Sequence, residues 1–219
     1  MRRSHPAAGS QTQSHRPLNR DLILDGAIDL IERDGPAALS MRRLGSSLGV
    51  EGMAIYHHFS GREELLTAIG DRLLEPLGDL ALGADWQDAC RRFATALRNI
   101  AVAKPATFQL VGLQPLDTRA ALEPVERLLG VLVAAGFTAP QALAAYRATV
   151  SYTRGYALAE VTGFTVDAAR PAGRERLAAL PATEFPVLSG RASELSALDA
   201  DSAFRVGLEA LLAGLGGPA

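Results

Sequence analysis

Apolar residues recur every three to four positions along most of the chain, and this spacing constrains the fold more than any other feature of the sequence. In the first such segment Ile23, Ala27 and Ile31 share one face of a helix, and Gly35 followed by a proline ends it. No stretch keeps the alternation of apolar and polar residues that a half-buried strand requires. The sequence therefore predicts an all-α protein.

Glycines and prolines divide the predicted helices into a short-helix region and a long-helix region. Residues 20–75 hold four short helices, the third over residues 51–59 and the fourth beginning near Arg62. Residues 76–84, with one proline and two glycines, form a predicted connector. The longer helices are predicted over residues 85–103, 104–113, 118–136, 140–163 and 201–215. The segment 164–200 is predicted to be loop with one or two helical turns.

These patterns divide the chain into three parts. Residues 1–19 are polar and are predicted to be a flexible basic arm, residues 20–75 a small helical domain, and residues 76–219 a larger one. The first twenty residues contain no carboxylate and four arginines, namely Arg2, Arg3, Arg16 and Arg20. Positive charge is therefore expected in the arm, although the formal net charge of the chain is -2.

The bulk composition, 48% hydrophobic and 21% charged residues, is typical of a folded globular protein. The single cysteine, Cys90, can form no internal disulfide, and no zinc-ligand spacing surrounds it, so a reducing cytoplasm is expected. The longest apolar run, residues 128–137, is shorter than the roughly 20 residues that cross a bilayer. No membrane span is therefore expected.

Residues 40–59 carry the pattern of a helix-turn-helix. Two short helices that cross closely need a small residue at their contact and a glycine in the turn between them. Gly45 meets the first requirement and Gly49 the second, because glycine adopts the left-handed conformation without steric cost. The apolar positions of the shared core are Leu44, Leu48, Val50 and Ile55. Taken alone, this segment leaves open an ordinary hairpin within a helical bundle.

A wider pattern over residues 20–75 resembles the DNA-binding domain of the TetR family of repressors. Its elements are Gly35, Ser40, Leu48-Gly49-Val50, Ile55-Tyr56-His57-His58-Phe59, Arg62 and Leu65-Leu66. The rest of the chain resembles the tetracycline repressors through Asp85-Trp86-Gln87-Asp88, Gly136-Phe137, the long helix through Gly155, and the segment from Phe204 to Glu209. Residues 164–200 match poorly. The resemblance implies a helix-turn-helix DNA-binding domain followed by an effector-binding and dimerisation domain.

The resemblance also implies which residues contact DNA. Ser40, at the start of the second helix, would bind a phosphate, and Arg42 would reach a base edge or a phosphate. The recognition helix would present its N-terminal residues to the major groove, and the residues after them would bind the flanking phosphates. The candidate contacts are Ser40, Arg42, Arg43, Gly52, Met53, Ala54, Tyr56, His57, His58 and Arg62.

Some of these positions carry alternatives. Ala54 stands where the family usually has threonine, so one hydroxyl contact is lost. The Tyr56 ring either packs on the small core or also directs its hydroxyl to a phosphate. His57 and His58 point about 100° apart and lack a third ligand at helical spacing, so no metal is expected there. Glu51 is expected to cap the recognition helix, and the arm arginines either enter the minor groove or stay solvated.

The larger domain is expected to bind a small molecule between its helices. Phe93, Leu97 and Leu110 fall where the family lines its pocket, which implies a largely apolar effector held by few polar groups, such as Gln114. The candidate set is Phe93, Leu97, Phe108, Leu110, Gln114, Tyr146 and Val150, although core packing explains such residues as well. Tetracycline repressors hold a magnesium–drug chelate with a histidine here. Because this domain contains no histidine, neither that effector nor a metal cofactor is expected.

The resemblance further implies a homodimer formed by the helices predicted over residues 140–163 and 201–215. The expected interface residues are Ala142, Ala145, Ala148, Leu208, Leu211 and Leu212. Such a dimer would set two recognition helices about 34–36 Å apart, which is one turn of DNA and implies a palindromic operator. We therefore expect a repressor that a small effector releases from double-stranded DNA.

Two alternatives remain at this point. A DNA-binding dimer without an effector, or an activator, has the same sequence features. An enzyme is the other alternative, because a helical bundle can carry carboxylate–histidine metal chemistry. The larger domain has no histidine and no Glu-x-x-His motif, and Cys90 has no partner nearby in sequence. No catalytic residue is therefore expected.

Overall fold

The structure, a computed structural model, describes residues 17–115, 117–163 and 171–216. Within these ranges the chain forms eleven α-helices and two short 3₁₀ helices, and it contains no strand. The predicted all-α fold is confirmed. Residues 1–16 of the predicted arm and residues 164–170 of the predicted loop lie outside the described residues.

Four helices form the N-terminal part of the fold: α1 (Arg20–Asp34), α2 (Met41–Ser47), α3 (Gly52–Tyr56) and α4 (Arg62–Leu74). Helix α1 begins where the Asn19 side chain accepts a hydrogen bond from the Leu22 N–H at 2.9 Å. It ends at Gly35, whose φ of 83° is a conformation that favours glycine. The centre of the core between the four helices is fully buried and consists of Ile23, Ile31, Leu44, Ile55, Leu65 and Ile69.

Seven further helices are α5 (Trp86–Ala103), α6 (Pro105–Val111), α7 (Arg119–Ala134), α8 (Ala139–Thr162), α9 (Pro171–Ala178), α10 (Ala192–Leu195) and α11 (Ala200–Gly214). Helix α8 is the centre of this group, because α5, α6, α7 and α11 all pack against it. A capping box of Thr138 and Gln141 begins α8, and Gly163 in the left-handed conformation ends it. In the ranges that the structure describes, no helix is long and apolar enough to cross a membrane.

Arg98 fastens α5 to both α8 and α11. Its side chain is 7% exposed and donates hydrogen bonds to Glu160 at 2.7 and 2.8 Å and to Asp201 at 2.7 Å. The guanidinium also lies 5.1 Å from the centre of the Phe204 ring. Burial lowers the pKa of Arg98, but hydrogen bonds to the two carboxylates outweigh it and raise the pKa above its ordinary value. This buried cation is therefore held in its charged form between three helices.

Two segments differ in detail from the predicted helices. The third helix, predicted over residues 51–59, ends at Tyr56, because the chain turns at His57 and His58 to bury Phe59 in the core. The described part of the predicted loop, residues 171–200, contains about two turns of helix in α9 and one in α10. Short helices of this kind depend on their tertiary contacts, which sequence periodicity does not report.

Candidate functional site

Gly45 and Gly52 bring α2 and α3 into direct contact. A Cβ atom on Gly45 would lie 2.8 Å from the backbone nitrogen of Gly52 and 2.9 Å from its Cα, which is closer than packed atoms approach. Gly49 follows α2 with a φ of 71° and directs the chain into α3. The roles predicted for Gly45 and Gly49 are confirmed. Leu44 and Ile55 fill the small core beside this contact, as expected.

The side chains predicted to contact DNA are mostly exposed to solvent. Met53 is 68% exposed and Tyr56 is 47% exposed, so neither is enclosed by the core. The other exposed members of the set are Ser40, Arg42, Arg43, His57 and Arg62, and the half-buried members are Gly52, Ala54 and His58. Nearly half of the Tyr56 side chain is accessible to a partner, which favours a role beyond packing.

Local hydrogen bonds distinguish neighbouring residues on this surface. The Ser40 hydroxyl oxygen accepts a bond from the Arg43 N–H at 3.3 Å and so caps α2. The Arg43 guanidinium lies 3.0 Å from a carboxylate oxygen of Asp34, whereas Arg42 has no ion pair with any described residue. Glu51 occupies the N-cap position of α3, but its side chain makes no capping bond. The expectation that the Glu51 carboxylate caps this helix was therefore wrong.

Arg20 holds the turn that follows α3. Its guanidinium donates to the backbone oxygen of His58 and to Glu64, the latter at 2.8 Å, and lies 4.0 Å from the centre of the Phe59 ring. We call Arg20, His58, Phe59 and Glu64 the Arg20 clamp. Arg20 is thus the first residue of α1. From the sequence its charge was expected to belong to the arm, whereas the structure places it in the folded domain.

Glu64 completes the clamp from α4. Its carboxylate accepts a hydrogen bond from the Ser60 N–H at 2.7 Å as well as from Arg20. These two bonds lower the pKa of Glu64 to about 2. No sequence spacing connects residues that lie 44 positions apart, so the periodicity of the helices could not have revealed this pair.

A second junction connects α1 to α6. The Glu32 carboxylate accepts hydrogen bonds from the backbone N–H of Thr107 at 2.8 Å and from its hydroxyl at 2.6 Å. Thr107 is fully buried, and it lies in the first turn of α6, where backbone N–H groups lack partners within the helix. The Glu32 carboxylate therefore connects α1, in the N-terminal group of helices, to α6, in the C-terminal group.

A cavity of about 300 Å³ lies between the two groups of helices. Leu66, Leu73 and Leu74 of α4 form one wall, Val111 and Gln114 form another, and Arg154 of α8 also lines the cavity. The Thr118 hydroxyl donates to Asp71 and connects α7 to α4 beside it. Because α4 is both a wall of this cavity and part of the N-terminal core, a molecule in the cavity would contact the helix that supports the helix-turn-helix.

The structure divides the predicted effector residues among three places. Phe93, Leu97, Tyr146 and Val150 surround an apolar cavity of only about 10 Å³ beside the larger one, and Gln114 lines the larger one. The two cavities share Leu74, Ala121 and Arg154. Phe108 is fully buried and Leu110 packs against the core, and neither lines these two cavities. Arg154 was missed because a lone arginine in a long helix carries no distinctive sequence signal.

The residues predicted for a dimer interface are largely buried within the chain itself. Ala142, Ala145, Leu208 and Leu212 are at most 2% exposed, so a partner cannot reach them, and Ala148 and Leu211 are half-buried. The expectation for the four buried residues was wrong, because the alanines and leucines face the other helices of this chain. The opposite faces are exposed and carry Leu143, Arg147, Ser151 and Gly155 on α8, and Val206, Ala210 and Ala213 on α11.

Groups capable of metal binding or nucleophilic chemistry are sparse. Among the described residues no cluster of three or more histidine, cysteine, aspartate or glutamate side chains is placed to hold a metal ion. Cys90 is fully buried in α5, and burial raises the pKa of its thiol to about 11. This thiol is therefore protonated near neutral pH and enclosed by the core.

An exposed helix-turn-helix joined to a larger helical body is typical of the class of DNA-binding transcriptional regulators. Residues 23–69 match the bacterial regulatory proteins of the tetR family, and residues 81–217 match the tetracyclin repressor-like C-terminal domain. The chain therefore belongs to the TetR family of DNA-binding transcriptional regulators, as its sequence motifs predicted, and such proteins are regulators and not enzymes.

Relatives and solved structures agree with this assignment. A relative named HTH-type transcriptional regulator, from Saccharopolyspora erythraea, is 32% identical over 82% of this chain and 77% of its own length. A possible TetR family transcriptional regulator from Streptomyces coelicolor superposes with a TM-score of 0.76 at 28% identity, covering 90% of this chain and 98% of the other. ActR of the same organism, solved in complex with actinorhodin, superposes at 0.71 with 26% identity over 91% and 95% of the two chains.

Proposed function

We propose that this chain is a cytoplasmic repressor that binds a palindromic operator in double-stranded DNA as a homodimer and is released by a small, largely apolar effector. The observation that carries the proposal is the exposure of Arg42, Met53 and Tyr56 around the contact of α2 and α3. The fork of an arginine matches guanine edges and phosphates, and an apolar side chain suits the methyl group of thymine. A face with both groups is suited to the major groove.

The local geometry supports separate roles within this surface. The oxygen of Ser40 already accepts a bond from the Arg43 N–H, so its O–H is available to donate to a phosphate. Arg42 reaches a base or a phosphate without first breaking an ion pair, whereas Arg43 must leave Asp34. Gly52, Met53 and Ala54 open the recognition helix, and Tyr56, His57, His58 and Arg62 bind phosphates beside the groove.

The dimer forms through the exposed faces of α8 and α11. Leu143, Arg147, Ser151 and Gly155 follow one another at intervals of four residues, and small residues here allow two helices to approach closely. Val206 on α11 is 64% exposed, a high value for an aliphatic side chain in a well-packed helix. Pairing these faces buries apolar surface that one chain leaves in water.

The effector binds at the cavity between α4 and the C-terminal helices. The complex of ActR with actinorhodin supports a small-molecule site in this fold. Effector binding displaces α4 or α6, and α4 and the Glu32–Thr107 junction pass this displacement to the helix-turn-helix. By linkage, the effector weakens DNA binding by the same factor by which DNA weakens effector binding.

A fluorescence anisotropy titration with DNA from upstream of the gene tests the proposal. Wild-type protein is compared with the double variant Arg42→Ala/Tyr56→Ala at several salt concentrations, because phosphate contacts alone give salt-dependent binding to any duplex. We expect specific binding to fall by at least about tenfold in the double variant, since each lost contact costs on the order of 1 kcal/mol or more. Arg119→Ala removes an exposed arginine of α7, outside the helix-turn-helix, and serves as the control.

The proposal fails if the wild-type protein prefers no sequence over random duplex at any salt, and if selection from a random DNA library also yields no site. Sedimentation of the protein on its operator gives the number of chains bound. A single chain on the full operator contradicts the homodimer.

A further inference from the structure

Arg154 is the only residue among those described that has a buried side-chain nitrogen or oxygen without a hydrogen-bond partner. The unpartnered atom is Nε of the guanidinium. An unsatisfied buried donor costs free energy, so such a group persists where a partner compensates for it or where it serves a function. Arg98, on the neighbouring helix α5, is bound by two carboxylates. Among the described residues, Arg98 therefore has carboxylate partners, whereas Nε of Arg154 has no hydrogen-bond partner.

Arg154 lies on the wall that the larger cavity shares with the small apolar one. Burial lowers the pKa of Arg154, and the one titratable group that opposes this shift is the Tyr146 phenol. Glu63, Asp71 and Asp117 also line the larger cavity, but none of them forms an ion pair with Arg154, and Asp71 accepts a hydrogen bond from the Thr118 hydroxyl. Arg154 is thus half-buried, with Nε enclosed and no ion pair to any carboxylate within the ranges that the structure describes.

We propose that the effector is a monoanionic, otherwise apolar acid whose carboxylate or equivalent planar anion binds the Arg154 guanidinium. This inference rests on the proposed effector site and names the chemical class that the site accepts. Arginine binds a carboxylate through two parallel hydrogen bonds, one of which Nε supplies. The apolar part of the acid lies against Leu66, Leu73, Leu74 and Val111, which line the same cavity.

The remaining charges of the cavity restrict the ligand further. Glu63, Asp71 and Asp117 are the three acidic residues that line this cavity, and Arg154 is the one basic residue. The acidic residues repel a second negative charge, which disfavours nucleotides, phosphates and dicarboxylates. The volume of about 300 Å³ admits a molecule of two or three fused rings or a medium-length acyl chain. The cavity is therefore selective for a ligand that has one anionic group and is otherwise uncharged.

The test compares matched acids and amides on the full-length protein without DNA. Calorimetric titration measures binding of 2-naphthoate and octanoate against 2-naphthamide and octanamide, for wild type, Arg154→Gln and Arg154→Lys. We expect each acid to bind wild type at least about tenfold more tightly than its amide, and Arg154→Gln to remove this preference. Arg154→Lys, which keeps the charge, should retain part of it. Arg174→Gln, an exposed arginine of α9 that lines neither of the two cavities, is the control.

Two outcomes overturn the inference: no preference for either acid over its amide in wild type, or a preference that survives in Arg154→Gln. Thermal unfolding of each variant checks that the fold is intact. DNA release is measured separately with the bound acid. If the acid binds through Arg154 and leaves DNA affinity unchanged, the ligand class stands and the proposed regulatory function fails. If wild type shows no preference for the acids but still binds its operator, the ligand class alone fails.

Discussion

The Glu32 carboxylate of α1 accepts two hydrogen bonds from Thr107 of α6, at 2.8 Å from the backbone N–H and at 2.6 Å from the hydroxyl. This contact spans 75 positions in the sequence and crosses between the two groups of helices. Helix α6 leads directly into the wall of the larger cavity at Val111 and Gln114. The orientation of α1 is therefore coupled to the position of α6, a helix that an effector in the proposed site would contact.

Glu32→Ala tests this junction. The substitution leaves the buried Thr107 hydroxyl and N–H without their acceptor, so we expect the free energy of unfolding to fall by about 1–3 kcal/mol. We also expect the effector to weaken DNA binding less in this variant. Urea unfolding and anisotropy measure the two effects. Asp29→Ala removes an exposed carboxylate from the same helix, and equal stability of the two variants would rule out the junction as a significant contact.

The Arg20 clamp makes stability depend on pH through Glu64. The pKa of Glu64 is lowered to about 2 in the folded chain, below its ordinary value of 4.5. The contribution of the clamp is therefore complete above pH 4.5 and is lost as the pH falls towards 2. In Glu64→Gln we expect a lower urea midpoint at neutral pH, and a gap to wild type that narrows as the pH falls through this range. Glu63→Gln is the control, and a gap independent of pH would contradict the assignment.

Gly45→Ala tests the contact of α2 with α3. The new methyl group would meet the Gly52 backbone at 2.8 Å, and neither helix can yield without moving the other. We expect a loss of about 1–3 kcal/mol in the free energy of unfolding and a parallel loss of operator affinity. Gly130→Ala, on α7, meets nothing within 4 Å and should stabilise the chain by about 0.5–1 kcal/mol. Equal effects of the two substitutions would show that the close approach is not required.

Arg98 and Arg91 allow a buried ion pair to be compared with an exposed one in the same protein. Arg98→Ala leaves the Glu160 carboxylate, which is 18% exposed, without its cationic partner. We expect the free energy of unfolding to fall by about 2–4 kcal/mol. Arg91 pairs with Glu209 at 2.6 Å, but both side chains are at least 37% exposed, so Arg91→Ala should cost about 0–1 kcal/mol. Chemical denaturation measures both values. A reversed order would contradict the role assigned to burial.

Cys90 is expected to resist thiol reagents in the native state. Its thiol is fully buried and its pKa is raised to about 11, so little thiolate forms near neutral pH and the reagent cannot reach it. Reaction with Ellman's reagent should be slow in buffer and complete in denaturant. Thr95→Cys introduces an exposed thiol on the same helix for comparison. Labelling of Cys90 as fast as that of the introduced cysteine would disprove its enclosure.

Local patterns predicted the local structure well. Gly45 and Gly49 have physical roles that depend on a few neighbouring residues, so their spacing was sufficient to predict them. The apolar period located most helices for the same reason, although it extended α3 beyond Tyr56. That helix ends because Phe59 enters the core and Arg20 holds the preceding carbonyl, and both causes involve another part of the chain.

Sequence patterns could not predict the contacts between residues that are distant in the chain. The pairs Arg20–Glu64, Glu32–Thr107 and Arg98–Glu160 depend on how whole helices pack, and no spacing rule relates their members. The alanines of α8 show the same difficulty. Small residues suit both an interface and an interior, and only packing reveals that Ala142 and Ala145 face inward. The cavity that Arg154 lines is formed by α4 and α8 together, so its existence depends on how these helices pack.

Because the Arg20 clamp joins the end of α3 to both α1 and α4, the recognition helix moves together with its supporting helices and not by itself. In the proposed homodimer, an effector would therefore change the distance between the two recognition helices and leave the bases that each helix contacts unchanged. The preferred half-site is then the same with and without effector, whereas the preferred number of base pairs between half-sites shifts. Operators that differ only in the number of base pairs between half-sites would therefore differ in how far the effector lowers their affinity for the protein. The spacer length would then set how strongly each gene is regulated by the same effector.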